Sequence, residues 1–528
     1  MTIKKILIVV PPSVKRKNNY DISYKYLDFE TYRLMTPIDA VTMASDLVRR
    51  GFEATVFDLG TFRDDGMAGL SEKLKMYLPD AVVLSNSILT FGSTFDIDGE
   101  EIFQTAKSIL KNCITVLTGT HPSNYPGKAV KEGVCDFSIK GEPELAVGEL
   151  LQNLNQGGSS VELIRGLSFI KAEGGELVES HDSSLVQIED LPKPDYTLVD
   201  ESQRESYFEF LEFGKIRYPE ASPKHRNIMT SRGCIIDCNF CSVKHLRGGQ
   251  KYRRKSLEMV IAEIEDALAD GIKEIHFFDD LFVENDRQAL EFAGALKKKN
   301  LNFPWFVAQG MPLWAMTEEG LAALKETGMY RLIAPFESGS DKVLKSVVGK
   351  LASVEHNSSV IKWARRLDIE IIGLFVIGLP GETRQDLLAT IKFAETYKDI
   401  DYSVFSIATP LVGTRMTNKA IKDGIYQDQG YLQKVVKRTV GFFKTEEFNE
   451  LELGLIRTFE WDRINFPTLS RRKKYCKMVG MTLENLDVSR QTSVEKFHYY
   501  FPDYRGPLSY KEFLASEEMV LQTTPNII

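Results

Sequence analysis

Cysteine is scarce: 6 in 528 residues, too few and too unevenly placed for a disulfide scaffold. Long apolar runs are missing as well. The longest near-apolar stretch, Ile369 to Pro380, is interrupted by Glu370 and falls far short of the ~20 residues that cross a bilayer, so no transmembrane segment is expected. The amino terminus shows no ordered n-region, h-region and cleavage site of a signal peptide, and the expected location is cytoplasmic. Nor is positive charge concentrated. Lys and Arg total 66 against 74 Asp and Glu, a net charge of −8, and the densest basic run is Arg471-Arg472-Lys473-Lys474. A nucleic-acid partner is therefore not expected. Internal repeats and low-complexity tracts are absent. What is present is ordinary globular composition, 43% hydrophobic and 27% charged, in a chain long enough for about three domains.

The first stretch alternates short apolar runs with helix-period segments, the pattern of crossover units on a parallel sheet. Ile6 to Val10 reads as a buried strand stopped by Pro11-Pro12. Pro37 opens a helix whose Ile38, Val41, Ala44, Leu47 and Val48 keep three- and four-residue spacing until Gly51. Further strands are expected at Glu53–Phe57, Ala81–Ser85 and Ile114–Thr118, with a helix from Glu100 to Leu110. This predicts a doubly wound, Rossmann-like domain over residues 1–155, with ligands outside the carboxyl ends of its strands. Residues 156–222 are rich in turn signals (Gly157-Gly158, Gly174-Gly175, Pro192-Lys193-Pro194) and read as a linker with a small hairpin. Strand signals resume near Ile228 and Ile275, then at Phe303–Val307, Leu332–Phe336, Ile371–Ile377 and Tyr402–Ile407. Amphipathic helices lie between them, capped by residues such as Ser256 and Thr317. Six strand-helix repeats predict a partial (β/α)6 TIM-type barrel over 223–420. Residues 421–528 read as a small mixed or helical domain, rich in aromatics.

Three of the six cysteines share one loop, Cys234-Ile-Ile-Asp-Cys238-Asn-Phe-Cys241, directly after the first barrel strand, at the end where such barrels carry their active sites. Packing alone does not explain three cysteines in eight residues. A structural zinc site needs a fourth ligand, for which His245 is the one nearby candidate. An iron-sulfur cube on three thiolates leaves one iron open instead.

With its aromatic Phe240 just before the last cysteine, the loop resembles the signature of the radical S-adenosylmethionine (SAM) enzymes. The likeness continues in order through Asp279-Asp280 after the second strand, Glu337-Ser338-Gly339-Ser340 after the fourth and Gly378-Leu379-Pro380-Gly381-Glu382-Thr383 after the fifth. The amino-terminal domain is similar to the cobalamin-binding domain of the B12-dependent branch, through Gly119-Thr120-His121-Pro122, Asp136 and Gly141-Glu142-Pro143-Glu144. The resemblance spans about residues 4–420.

It implies three cofactors: a [4Fe-4S] cluster on Cys234, Cys238 and Cys241, SAM chelating the open iron, and cobalamin. Asp279 and Asp280 would meet the SAM amino group, the alternative being a helix cap before Leu281. Glu337 or Ser338 would accept from the ribose hydroxyls, and Gly378 and Gly381 would let backbone approach adenine, the alternative being a plain turn. Many relatives carry an arginine for the SAM carboxylate after the third barrel strand. Here Gln309 stands in that stretch, with Arg232 or Lys350 as other candidates. Ser85 and Asn86, with Gly119, Thr120 and His121, would line the cobalamin crevice, and Gly141 and Glu142 would border its nucleotide tail. No histidine has an aspartate two places earlier, so the Asp-x-His-x-x-Gly loop of cobalamin mutases is absent and a protein imidazole below the cobalt is not expected.

The activity implied is a B12-dependent radical SAM methyltransferase. The 5′-deoxyadenosyl radical would take hydrogen from an unactivated carbon, methylcobalamin would supply the methyl group, and two SAM molecules would be used per turnover. No protein general base is required, because the cofactors carry the reactive steps. The partners implied are a small-molecule or natural-product substrate and an external electron donor such as flavodoxin or ferredoxin. Radical cyclisation or rearrangement on the same architecture is the nearest alternative, and a zinc or corrinoid-binding module without activity the most distant. A methylthio-transferring or tRNA-modifying enzyme would want extra cysteines or a basic surface. The tail aromatics, among them Phe442, Phe443, Trp461 and Phe497, read first as core and second as a pocket wall.

Overall fold

The computed structural model describes residues 2–11, 36–62, 66–86, 99–208, 224–249, 252–426 and 441–505. Its first unit is a seven-stranded sheet in the order β2-β1-β3-β4-β5-β6-β7. Five strands are parallel: β1 (Lys5–Val10), β2 (Glu53–Asp58), β3 (Ala81–Asn86), β4 (Ile114–Gly119) and β5 (Phe137–Ile139). Helices α1 (Ile38–Arg49), α2 (Met67–Tyr77), α3 (Glu100–Ile109) and, beyond the short α4 (Thr120–Asn124), α5 (Ala146–Asn155) make the crossovers. Two apolar clusters follow from this winding. Ile6, Ile8, Val41 and Val147 share one, and Leu7, Val9, Leu74 and Phe103 share the other. The alternation of the β1 side chains between them is the period-two rule of a strand buried on both faces.

The strand order 2-1-3-4-5 is the flavodoxin-like variant of the doubly wound fold, whose crevice opens at the carboxyl ends where the order reverses. The expected hairpin exists, as β6 (Leu167–Ile170) and β7 (Leu177–Glu179) around Gly174-Gly175. It is not a free linker element, however. β6 pairs antiparallel with β5 and extends the sheet, because β5 would otherwise present an open hydrogen-bonding edge. The following segment returns across the domain, where Asp200 N–H donates to Val56 O at 2.9 Å. Residues 209–222 of the expected linker lie outside the described residues.

The second unit is a ring of six parallel strands in two runs. β8 (His225–Ile228), β11 (Glu274–Phe277) and β12 (Trp305–Val307) form one, and β13 (Arg331–Glu337), β14 (Glu370–Ile377) and β15 (Tyr402–Ile407) the other. A Trp305–Met329 bridge joins the two. A small antiparallel ribbon, β9 (Ser231–Arg232) and β10 (Arg253–Arg254), frames the cysteine loop. β12 begins two residues later than the sequence suggests, because Pro304 has no N–H for a ladder. The helices α6 (Val243–Leu246), α7 (Leu257–Ala269), α8 (Asp286–Lys298), α9 (Glu318–Glu326), α10 (Val354–Arg366), α11 (Arg384–Thr396) and α12 (Arg415–Lys422) follow in order. Ser256 and Thr317 cap α7 and α9 as their positions imply, accepting from Met259 N and Gly320 N.

The described carboxyl-terminal part is helical: α13 (Glu450–Leu455), α14 (Trp461–Asn465), α15 (Leu469–Val479) and α16 (Leu483–Tyr500). It has a small core of its own, Leu455, Phe459, Val494 and Phe497, and a second set of contacts with the barrel. Trp461, Ile464 and Phe466 belong to the same apolar cluster as the barrel strands. Asn465 bonds both N and O of Ser403 on β15, at 2.7 and 2.9 Å, and so takes the place of a neighbouring strand. Trp461 and Phe497 are buried in packing. Among the described residues no helix is long and apolar enough to cross a membrane.

Candidate functional site

The cysteine loop leaves the barrel at the carboxyl end of β8 and is tied down at both flanks. Asp279, just past β11, is fully buried, and its Oδ1 accepts from Thr230 N at 2.7 Å, Thr230 Oγ1 at 3.0 Å and Ser231 Oγ at 2.9 Å. Asp280 Oδ2 accepts from Gly233 N, the residue before Cys234, at 2.8 Å. Neither aspartate caps a helix, since α8 starts at Asp286 under the Asn285 side chain. Both brace the loop. The far side is fixed by Asn239, whose N–H and side-chain amide donate to Val348 O and Val347 O on a π-helical turn (Val343–Val348), each at 2.8 Å. Phe240 and Cys238 pack into an apolar cluster with Val348, Leu379, Met416 and Phe443.

All six cysteines are free thiols. Burial pushes Cys238 and Cys241 up to about 12 and raises Cys234, and the three are close enough to feel one another's charge. Three half-buried, unlinked thiols in mutual range are costly as thiolates unless a cation neutralises them, so the donor set fits a thiolate-bound metal group. His245, the fourth ligand of the zinc alternative, is engaged elsewhere. Its ring lies against Gly413, where an added Cβ would come within 2.2 Å of Nδ1, and it bonds the backbone carbonyl of Ser123. Among the described residues no three His, Cys, Asp or Glu side chains converge on a single-ion point. Three thiols on one loop with no fourth ligand among the described residues suit an iron-sulfur cube with an open iron better.

Around the mouth of the barrel stand the other sequence candidates. Glu337 ends β13 with φ +61°, beside a bulge in its pairing with β14. A non-glycine residue there stores about 1–3 kcal/mol of strain, which marks functional sites. Its Oε1 accepts from Lys350 Nζ at 2.8 Å, and Lys350 also donates to Pro335 O at 2.7 Å. Lys350 acts electrostatically on Cys234 and Cys238, each of whose thiols it lowers against the effect of burial. Ser338 turns instead to Thr390, with its Oγ at 2.8 Å from Thr390 Oγ1. Gln309 lies half-buried two residues past β12. Gly378 and Gly381 take φ +78° and +97°. A Cβ on Gly378 would meet Leu453 at 2.7 Å, so this glycine admits the carboxyl-terminal helix α13, whereas Gly381 has room around it.

Among the described residues, two buried carboxylate oxygens at this mouth have no partner, Asp279 Oδ2 and Glu382 Oε1. Burial moves Asp279 up to about 7 and Glu382 up to about 8. Glu382 was visible in the sequence only as part of a motif. Here its Oε2 accepts from Gly378 N at 2.7 Å and Leu379 N at 3.2 Å and shapes the glycine turn. An open carboxylate oxygen in a dry site is what an ammonium or hydroxyl of a ligand would satisfy, so the mouth fits SAM.

In the first domain Ser85 is buried at the end of β3, and Asn86 pairs in register with Gly119, its side chain lying outside the described residues. Gly119 has φ +91° and ψ −135°, a conformation closed to side-chain-bearing residues, so β4 ends on bare backbone. Thr120 and His121 open α4, and the buried His121 ring stands 5.5 Å from Tyr125. Ser123 Oγ links the two glycine turns, donating to Gly119 O at 2.7 Å and accepting from Gly141 N at 3.0 Å. A bare strand end at the carboxyl edge of a flavodoxin-like sheet fits a large planar cofactor approaching backbone.

Gly141 and Glu142 do other work. A Cβ on Gly141 would reach Ser184 O at 2.3 Å. Glu142 is buried in a charge cluster between the two domains, 2.7 Å from Arg253 Nη2 and 3.2 Å from Arg247 Nη1, with Arg232 Nη1 at 3.7 Å. Burial acts to raise its pKa, and the three guanidiniums outweigh that and hold it at about 2. Arg232 is itself spent on Glu144, and Arg247 on Asp280 at 3.0 Å. Arg247 and Arg253 were not singled out from the sequence, and Glu144 only as part of a motif. The cysteine loop is thereby clamped to the first domain. The helix after it, α6, rests on α4, the helix of Thr120 and His121.

Comparison with known proteins agrees with this architecture. The radical SAM superfamily profile matches residues 228–394. The chain is 30% identical over 428 residues to an uncharacterized methyltransferase of Pyrococcus horikoshii, covering 80% of this chain and 85% of that one. It is 26% identical over 471 residues to cytidylyl-2-hydroxyethylphosphonate methyltransferase of Streptomyces wedmorensis, covering 81% and 86%. Among solved structures, the radical SAM methyltransferase TsrM from Kitasatospora setae with cobalamin and [4Fe-4S] cluster bound has a similar fold, with a TM-score of 0.61 and 19% identity over 81% of this chain and 80% of that one.

Proposed function

The chain belongs to the radical SAM superfamily, in the family of its Pyrococcus horikoshii relative, and from that we propose that it is a cobalamin-dependent methyltransferase acting on an unactivated carbon of a small molecule. One observation carries the reading: the cysteine loop at the barrel mouth is clamped by Arg232, Arg247 and Arg253 onto Glu142 and Glu144 of the flavodoxin-like domain. The cysteine loop and the flavodoxin-like domain are thus held beside each other.

Cys234, Cys238 and Cys241 would hold the cluster, Asp279 and Glu337 would bind SAM, and Gly119 with its neighbours would receive the corrin. When bound, these groups supply a carbon-centred radical generator and a transferable methyl group. The residues of the chain do the rest. Asp280 and Asn239 fix the two ends of the thiol loop. Asp279 Oδ2 and Glu337 offer carboxylate to an ammonium and to hydroxyls. The apolar cluster of Phe240, Leu379, Met416 and Phe443 packs against Cys238. No side chain is asked to move a proton in the reaction. The reading includes a cytoplasmic location and an external one-electron donor.

The test is anaerobic purification with iron and acid-labile sulfide analysis, followed by mass spectrometry with SAM deuterated at its methyl group and a panel of acceptors. The expected result is an acceptor carrying the labelled methyl, with 5′-deoxyadenosine and S-adenosylhomocysteine formed in equal amounts. Protein without labile sulfide would sink the proposal, and 5′-deoxyadenosine without S-adenosylhomocysteine would turn it toward radical cyclisation or rearrangement.

A further inference from the structure

The proposed chemistry needs one electron from outside the chain, and the cover over Cys238 has an unusual surface. That thiol packs with Val343 and Val348 of the π-helical turn and with Met416 and Ala420, the inner face of α12. Met416 N–H donates to Asn239 O in the loop at 2.9 Å, so α12 lies directly on it. The outer face of α12 carries Arg415, Lys419 and Lys422 at successive turns, with Arg415 and Lys419 59% and 74% exposed. Lys345 is exposed on the π-helical turn, and Lys244 stands on the first turn after the loop.

Acidic neighbours are few on this face. Asp237 is shared by Lys244 at 3.3 Å and Arg415 at 3.1 Å, and Asp423 pairs with Lys419. Among the described residues, two carboxylates are paired with these five cations, on a chain whose net charge is −8. Ile235, in the cysteine loop, is 43% exposed. An α-helix is about 10 Å across, so this basic face is separated from the thiol by a single helix.

We propose that the outer face of α12, with Lys244 and Lys345, is the docking surface for a small acidic one-electron carrier of the flavodoxin or ferredoxin class. The inference rests on the reading of the site as an iron-sulfur centre. The carrier is oxidised by one electron and the iron-sulfur group is reduced by one; no bond is made or broken and no proton moves. A small, polar, charge-steered contact is the type that transient electron-transfer partners use, because it must form fast and release. Opposite charge on the two faces raises the encounter rate and makes it fall with salt.

The experiment compares the reconstituted holoenzyme with the exposed triple variant Lys345→Glu, Lys419→Glu, Lys422→Glu, and with a distant control, Lys473→Glu, Lys477→Glu on α15. Binding of an acidic flavodoxin is measured by titration calorimetry at low and high salt. Formation of 5′-deoxyadenosine is measured once with the reduced flavodoxin and once with dithionite, which is small and needs no docking face. The expected result is affinity and flavodoxin-driven rate lowered about tenfold in the triple variant, an unchanged dithionite rate, and an unchanged control. Undiminished flavodoxin binding in the triple variant would overturn the proposal, as would equal losses with both reductants. Wild-type protein that makes no 5′-deoxyadenosine even with dithionite would refute the enzymatic reading, while the binding arm would still report on the surface.

Discussion

Glu142 on the first domain and Arg253 on the second meet in a two-point ion pair, Oε1 to Nη2 at 2.7 Å and Oε2 to Nη1 at 2.9 Å. Glu142 Oε2 also accepts from Val186 N at 2.9 Å, so one carboxylate joins the sheet domain, the returning segment and the barrel. Removing it would leave Arg253 without its two-point partner and take from the buried Arg232 and Arg247 one of the two carboxylates each of them faces. Glu142→Ala is therefore expected to cost about 3–5 kcal/mol, the range for breaking a buried ion cluster by one partner. Denaturant unfolding of the apoprotein checks this, and a loss below about 1 kcal/mol would show that the clamp is dispensable.

The same carboxyl sets an acid response. Its folded pKa is depressed to about 2, so its stabilisation is complete above the ordinary glutamate value of about 4.3 and fades as pH falls through the interval below it. Protection factors for amide hydrogen exchange at residues 232–247, taken relative to the intrinsic rate at each pH, should fall on acidification from pH 5 toward pH 3 in the wild type. In Glu142→Gln protection should already be low at pH 5 and change little.

Glu382 behaves with the opposite sign. Burial raises its carboxyl to about 8, so the folded state holds the proton more tightly than the unfolded one, and this residue costs stability as pH climbs from about 4.3 to 8. Gln at this position keeps an acceptor for Gly378 N and Leu379 N and cannot ionise. Glu382→Gln should match the wild type in urea midpoint at pH 4.5 and exceed it at pH 8.5. An equal midpoint difference at both values would separate the effect from ionisation.

Substituting the cysteines one at a time tests the donor set. Cys234→Ala, Cys238→Ala and Cys241→Ala should each lose most of the bound iron and sulfide while circular dichroism stays unchanged. Cys113, Cys135 and Cys476 are buried outside the loop, and alanine at any of them should leave iron content intact. Zinc in place of iron in anaerobically prepared wild type would contradict the assignment.

How much of this could be read from the chain alone depended on how local the signal was. The strands β1, β3, β14 and β15 and the caps Ser256 and Thr317 announce themselves within a few residues, because burial on both faces and helix entry are short-range patterns. The thiol loop was legible for the same reason. The partners of Glu142 lie 90 to 111 positions away (Arg232 and Arg253), and no period or spacing connects such groups. Asn465 acting as a surrogate strand for Ser403, and β6 closing the edge of β5, are likewise answers to unpaired backbone that exists only after the sheets have formed.

Asp279 is the residue at which bracing and ligand binding can be separated. Its Oδ1 is committed to Thr230 and Ser231 of the loop root, and its Oδ2 is buried without a partner. Asn at 279 retains the carbonyl oxygen for the first task and replaces the second oxygen by an amide that cannot accept from an ammonium. Ala removes both. Asp279→Asn should therefore keep iron content and unfolding midpoint close to wild type and weaken SAM binding about 10- to 100-fold, the 1.5–3 kcal/mol of a hydrogen bond to a charged group. Asp279→Ala should lose stability as well as affinity. Titration of SAM into the reduced protein, followed by the change in the cluster's paramagnetic resonance spectrum, gives the affinity directly. Unaltered SAM binding in Asp279→Asn would assign this carboxylate to bracing alone and move the ammonium contact to Glu337.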